Sequence, residues 1–176
     1  HGIGTLGARG RGAVELAGVQ ADFLVGTLGK SLGSFGAFVA CSARVRELLI
    51  NRARSFVFSC ALAPPQVEAA RAALRLVESE PERRVQLQAN ARYLREQLAT
   101  RGIDTAPSTT HVIPVVIGGN ERTMQVCEQL LAHGIFAQGI RHPSVPRGTE
   151  RLRVTPMCSH TRAQLDQFVS ALAGIL

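Results

Sequence analysis

The 176-residue sequence has no tryptophan, one tyrosine, two methionines and a single lysine. It has no apolar run near the roughly 18–20 residues that a membrane span requires, and no signal peptide is visible. The shortage of aromatic rings bears on the charge. Lys and Arg together number 20 against 13 Asp and Glu, a formal net charge of +7, and such an excess can mark a nucleic-acid protein. Here the arginines are scattered along helical segments among Glu, Asp and Gln. There is no basic tract, and there are almost no rings on which bases could stack. A small phosphorylated or carboxylated ligand suits the excess better. The four cysteines, at 41, 60, 127 and 158, form no C-x-x-C pair, and no histidine stands at metal-ligand spacing. That argues against a metal site and reads as buried or semi-buried thiols in a reducing, cytoplasmic setting.

What remains is the composition of one soluble globular domain or a large piece of one, 45% hydrophobic and 19% charged. The chain opens at His1 rather than at Met, so it reads as cut from something longer. Residues 1–12, HGIGTLGARGRG, hold five glycines and predict a loop. The short apolar runs Phe23–Val25, bounded by Gly26, and 36–41 (GAFVAC) predict buried strands around a turn. Ser42 opens a helix with Val45, Leu48 and Leu49 on one face. Pro64-Pro65 sets up the next helix, which runs to about Ser79. A long amphipathic helix follows Pro81 and closes at Gly102, with Leu87, Ala91, Leu94 and Leu98 as its buried stripe. Beyond residue 110 the pattern alternates: strand 111–117 with Pro114 at an edge or bulge, helix 121–133 capped by Asn120, strand 135–138, strand 152–154, and helix 161–173. The last opens on a Thr161/Gln164 capping box and stops at Gly174. The expected organisation is residues 1–78 as the end of a strand-rich larger domain and 79–176 as a small α/β domain.

The lone lysine carries the chemistry. A composition that chooses arginine nearly everywhere leaves lysine where an amine is required. An amine can lose its proton and attack a carbonyl carbon, whereas a guanidinium stays charged; a chance survivor is the alternative. Gly29-Lys30-Ser31 could end a phosphate-binding P-loop, but the leading glycine would fall at Leu24, and the stretch after Ser31 reads as a strand rather than a helix.

The stretch GTLGKSLGSFGAFVA resembles the cofactor-lysine segment of the α-oxoamine synthases, pyridoxal-phosphate enzymes of the aspartate-aminotransferase fold type. HGIGTLGARGRG is similar to the segment just after that family's Asp-x-x-His motif. SFVFSCALAPP, IRHPSVP and GTERLRVTPMCSHT resemble, in the family's order, its phosphate-contacting, substrate-channel and carboxylate-binding segments. The resemblance runs nearly end to end, and HGIGTLG and GSFGAFVA look most like the biotin-pathway branch. It implies the C-terminal portion of a fold-type I α/β enzyme: the end of the large domain plus a small α/β C-terminal domain. It implies pyridoxal 5'-phosphate as cofactor, with Lys30 holding its aldehyde and later moving the substrate's Cα proton. Thr27, Ser59 and Cys60 would contact the phosphate, and His1 the ring's phenolic oxygen. Arg153 would clamp the substrate carboxylate, and Arg141 and Ser144 would line the acyl path. The implied partners are an amino acid, L-alanine in the first instance, an acyl-CoA or acyl-carrier-protein thioester, and a second copy in a homodimer whose interface holds the site. Plainer roles stay open: Arg153 paired with Glu150 or another surface acid, Ser144 opening a turn before Pro146, His1 as a frayed end, His133 answering a helix dipole.

The sequence departs from the family in two respects. The acidic residue that holds the pyridine nitrogen would lie before His1, so the upstream portion is required and the chain alone should be inactive. An exposed hydrophobic face is expected where that portion belongs. At Cys60 relatives commonly carry threonine, which donates to the phosphate of the neighbouring subunit's cofactor. A thiol is the weaker donor, so phosphate binding across the dimer is expected to be weakened there.

Overall fold

A computed structural model describes residues 2–176, and the chain divides into two compact units, His1–Arg84 and Val85–Leu176. The first contains α1 (Ala13–Ala17), β1 (Phe23–Thr27), β2 (Ala37–Cys41), α2 (Ala43–Arg52), α3 (Arg54–Val57) and α4 (Pro64–Ser79). Strands β1 and β2 form an antiparallel hairpin in which Val25 faces Val39 and Gly26 faces Phe38. Strand β1 therefore runs through Gly26 instead of ending there. The unit has a small core, Leu28, Leu32 and Ala70, against which Ile3, Phe38, Leu62, Ala73 and Val77 pack.

This unit is not strand-rich. One hairpin is its whole sheet among the described residues, and helices dominate. The helix predicted from Ser42 is broken at Ala53, whose extended backbone (ψ 90°) separates α2 from α3. Ser42 does cap α2, accepting from the Val45 amide at 3.4 Å. The apolar stripe on α2 stays largely open, with Leu48 58% exposed. On the hairpin, alternation places Phe23, Val25 and Val39 on one face, and they are 57%, 70% and 48% exposed.

The second unit is a three-stranded antiparallel sheet in the order β3-β5-β4, with β3 at Ile113–Val116, β4 at Gln138–Ile140 and β5 at Arg151–Val154. Pro114 sits on an edge strand, where its missing N–H costs no ladder bond. Helices α5 (Glu82–Ala99), α6 (Asn120–Ala132) and α7 (Arg162–Ile175) supply the rest of the core. Ile113, Val115, Leu152 and Val154 meet Leu94, Leu98, Val126, Leu130, Phe168 and Leu172 in it. The α5 stripe of Leu87, Ala91, Leu94 and Leu98 is buried throughout.

Three local expectations are corrected. Helix α6 starts on Gly119, and Asn120 gives no cap bond; its side chain is engaged elsewhere. The predicted strand 135–138 is displaced to Gln138–Ile140 because Ile135 is taken up in the stop of α6. The amides of Ile135 and Gly134 donate to Leu130 and Leu131 carbonyls, the two bonds of a Schellman motif, with Gly134 at φ 74°. The Thr161/Gln164 capping box forms as read, but α7 continues through Gly174 to Ile175. No helix among the described residues is long and apolar enough to cross a membrane.

Candidate functional site

Lys30 lies at the tip of the β1–β2 hairpin and is exposed. The residues two before and two after it do the anchoring, since Leu28 and Leu32 are 8% and 3% exposed in the core. The turn is closed by the Gly33 amide on the Lys30 carbonyl at 3.0 Å and the Ser34 amide on Leu28 at 2.9 Å. Its far side is tied to α4 through the Ser34 hydroxyl, which donates to Gln66 at 2.6 Å. The backbone beneath the amine is thus fixed while the amine stands free of the core.

The glycine-rich segment is pressed against this turn. Ser31, next to the lysine, donates its hydroxyl to the Ile3 carbonyl, and Gly26 lets the Phe38 ring and Ile3 close over the strand. A Cβ there would come within 2.3 Å of Phe38. Glu15 organises the segment from the other end, accepting the amides of Arg9 at 2.9 Å and Arg11 at 2.8 Å. Those bonds hold its carboxyl below the ordinary glutamate range. Arg84, 8% exposed, donates to the carbonyls of Ala8 at 2.9 Å and Val77 at 2.5 Å.

Of the residues assigned to cofactor contact, Thr27 shares the hairpin with Lys30. It is half-buried, and its hydroxyl oxygen accepts the Gly29 amide at 3.3 Å, leaving its own proton to donate. Ser59 and Cys60 lie between α3 and α4, both exposed, with the Ser59 hydroxyl turned back onto the Ser55 carbonyl. No hydrogen bond among the described residues joins them to the Lys30 turn. His1 lies outside the described residues.

Arg153, Arg141 and Ser144 all belong to the second unit. Alternation along β5 sends Leu152 and Val154 into the core and Arg151 and Arg153 to the open face of the sheet, beside Pro114 and Gln138. Arg153 borders two clefts. One, of about 340 Å³, is lined by Phe136, His160 and Gln164 among others; the other, of about 460 Å³, includes Ser108, Pro114 and Arg151. Glu150, one candidate partner for Arg153, instead directs its carboxylate to the Gly119 amide at 2.7 Å. Arg141 and Ser144 share a third cleft of about 500 Å³ with Asn120 and Ile140, and the Ser144 amide closes a turn on the Arg141 carbonyl at 2.8 Å. His133 caps α6, its Nδ1 2.8 Å from the Gln129 carbonyl.

Among the described residues there is no group of three metal-ligating side chains. The four cysteines are free, and burial pushes the Cys127 thiol up. Sequence reasoning missed Arg151, although the Arg-x-Arg alternation places it on Arg153's face. It gave no role to Glu15, and it read Asn120 as a helix cap and Glu150 as a partner for Arg153, whereas each of these two bonds a backbone amide remote in sequence.

The family model described as aminotransferase class I and II matches residues 1–172. The chain is 48% identical over 179 aligned residues to an 8-amino-7-oxononanoate synthase from Geobacter metallireducens, an alignment that takes in 99% of this chain and 46% of that protein. It superimposes with a TM-score of 0.92 and 30% identity on a serine palmitoyltransferase from Sphingomonas wittichii. The same values hold for a structure described as SPT with PLP internal aldimine. Each solved structure covers 99% of this chain and is itself covered to 45%. The chain spans about half the length of the proteins it matches.

Proposed function

Because this chain belongs to the class I and II aminotransferase family, we propose that it is the lysine-bearing C-terminal portion of a pyridoxal-phosphate-dependent acyltransferase of the α-oxoamine synthase type. The reaction joins L-alanine to a pimeloyl thioester, giving 8-amino-7-oxononanoate of biotin biosynthesis. One observation carries the reading: the only side-chain primary amine in the sequence is held exposed at the tip of a hairpin whose flanks are locked in a core. The 48% identity to an 8-amino-7-oxononanoate synthase supports this choice of substrates.

The residues fit the cofactor by their donor chemistry: an accessible amine for an aldehyde, and nearby hydroxyls for a phosphate. Once bound, pyridoxal phosphate supplies an electron sink that lets bonds to the amino-acid Cα break. Lys30 would hold it through Nζ, and the same amine would take the Cα proton and return one later. Thr27 would donate its hydroxyl proton to the phosphate. Ser59 would do so only by releasing the Ser55 carbonyl, and Cys60 would offer a weaker thiol proton to the phosphate of the neighbouring subunit's cofactor. His1 is assigned to the phenolic oxygen. Arg153 fixes the amino-acid carboxylate with its planar fork, and Arg141 and Ser144 line the acyl path. In the balance, Cα bonds to the thioester carbonyl, the carrier thiol leaves, and the original carboxylate departs as CO2. The working enzyme is a cytoplasmic homodimer completed by an upstream portion, in keeping with the free thiols.

The test is reconstitution with pyridoxal phosphate and the upstream portion, borohydride reduction, and peptide mapping. A label on Lys30, together with turnover of alanine and pimeloyl thioester, supports the reading. No label anywhere favours a non-catalytic chain. The similarity to serine palmitoyltransferase keeps a second reading in play: another α-oxoamine synthase, including glycine C-acetyltransferase or 5-aminolevulinate synthase. Turnover of glycine or serine with acetyl, succinyl or palmitoyl thioesters in place of alanine and pimeloyl would select it.

A further inference from the structure

Glu150 is an ionisable side chain that the reaction above does not use, yet it is 3% exposed. A buried carboxylate normally demands a cation or several hydrogen-bond donors, and here the donors are main-chain amides. Its Oε2 accepts the Gly119 amide at 2.7 Å. Its own amide and that of Gly148 also face it, which keeps its carboxyl below the ordinary range. The Glu150 carbonyl meanwhile accepts the amides of Ile117 at 2.8 Å and Gly118 at 3.0 Å. Side chain and main chain therefore grip one turn. Gly118 and Gly119 at φ 76° and 79° make that turn possible, since left-handed backbone is costly for any other residue.

The next residue of the same turn reaches the other way. Asn120, which would otherwise cap α6, accepts the His142 amide on Oδ1 at 3.1 Å. The two ends of the loop Arg141–Thr149 are thus fastened to a single turn, His142 through Asn120 and Gly148–Glu150 through the buried carboxylate. Inside the loop, Ser144 bonds back to Arg141, and the Thr149 amide and hydroxyl bond to Pro146. Arg141 and Ser144 line the cleft of about 500 Å³.

We propose that Glu150 and Asn120 are positioning residues that set the shape of the Arg141–Thr149 loop and through it the binding of the acyl thioester. The proposal rests on the reading that this loop borders the acyl path. Holding a binding element in place matters because a displacement near 1 Å can cost about 100-fold in rate.

The experiment uses the holoenzyme carrying this sequence, with E150A, E150Q, N120A and the control E121Q, whose carboxylate is exposed on α6. Two readouts are taken: KM for thioester and for amino acid separately, and trypsin cleavage after the exposed Arg147. E150A and N120A should raise the thioester KM about 10-fold, hold the amino-acid KM within about twofold, and speed cleavage. E150Q should fall between, and E121Q should match the wild type. N120A removes no helix cap, so it keeps the test open if E150A fails to fold. Equal rises in both KM values, unchanged cleavage, or a freed loop with unchanged KM would each overturn the proposal. An inert wild-type holoenzyme would defeat the functional reading and the thioester half with it. Faster cleavage in E150A would still support the tether.

Discussion

At the residue scale, the proposed function makes the decisive property of Lys30 chemical rather than architectural. Its neighbours Leu28 and Leu32 hold the turn, so replacing Lys30 by arginine should leave unfolding free energy within about 0.5 kcal/mol of wild type. The same variant should show no borohydride label and lose at least about 10²–10⁴-fold in kcat, because a guanidinium neither bonds to the aldehyde nor shuttles the proton. The two glutamates bound by amides behave oppositely, as structural charges. Both carboxyls sit below their ordinary range, so their contribution is complete above the unfolded glutamate pKa of about 4.3 and is lost as pH falls through the lower folded values. Urea melts across that acid window should therefore show a steep loss of stability in the wild type and a shallower one in E15Q/E150Q. The lysine was legible because scarcity itself is a sequence signal. Glu15 and Glu150 were not, because a carboxylate satisfied by backbone amides needs no partner of a particular residue type.

At the element scale, sequence-local signals were read well and packing-dependent ones were not. The Thr161/Gln164 box lies within one turn and formed as predicted; Thr161→Ala should cost about 0.5–2 kcal/mol in a denaturant melt. Asn120 carries the same kind of signal, but Gly119 occupies the cap position and the amide side chain goes to His142 instead. Ile135 looked like a strand residue because it is β-branched and apolar, yet a six-residue hydrogen-bonded stop claimed it first. The α5 stripe was readable because its period matches one buried face. In the hairpin, Gly26 is required by what lies across the strand. Gly26→Ala should destabilise by about 1–3 kcal/mol through the clash with the Phe38 ring. Adding Phe38→Leu should recover part of that loss, and a double-mutant cycle reads the coupling.

At the scale of the whole molecule, the first unit shows more apolar surface than a self-sufficient domain would. Phe23, Val25, Phe35, Phe56 and Phe58 are each between 57% and 78% exposed, and so many large apolar side chains left open on a small unit point to surface that a partner segment covers. The 18.8 kDa chain on its own should bind an apolar dye strongly and elute above that mass on size exclusion. Restoring the upstream portion should lower the dye signal; an unchanged dye signal would count against that portion as the cover. The amide fastening of the Arg141–Thr149 loop has a consequence for descent. Because its ends are held largely through main-chain groups to Asn120 and Glu150, the residues between can be exchanged without disturbing the sheet below. If the loop borders the acyl path as proposed, a lineage could retune which tail is accepted by rewriting one short cassette, with the scaffold inherited unchanged.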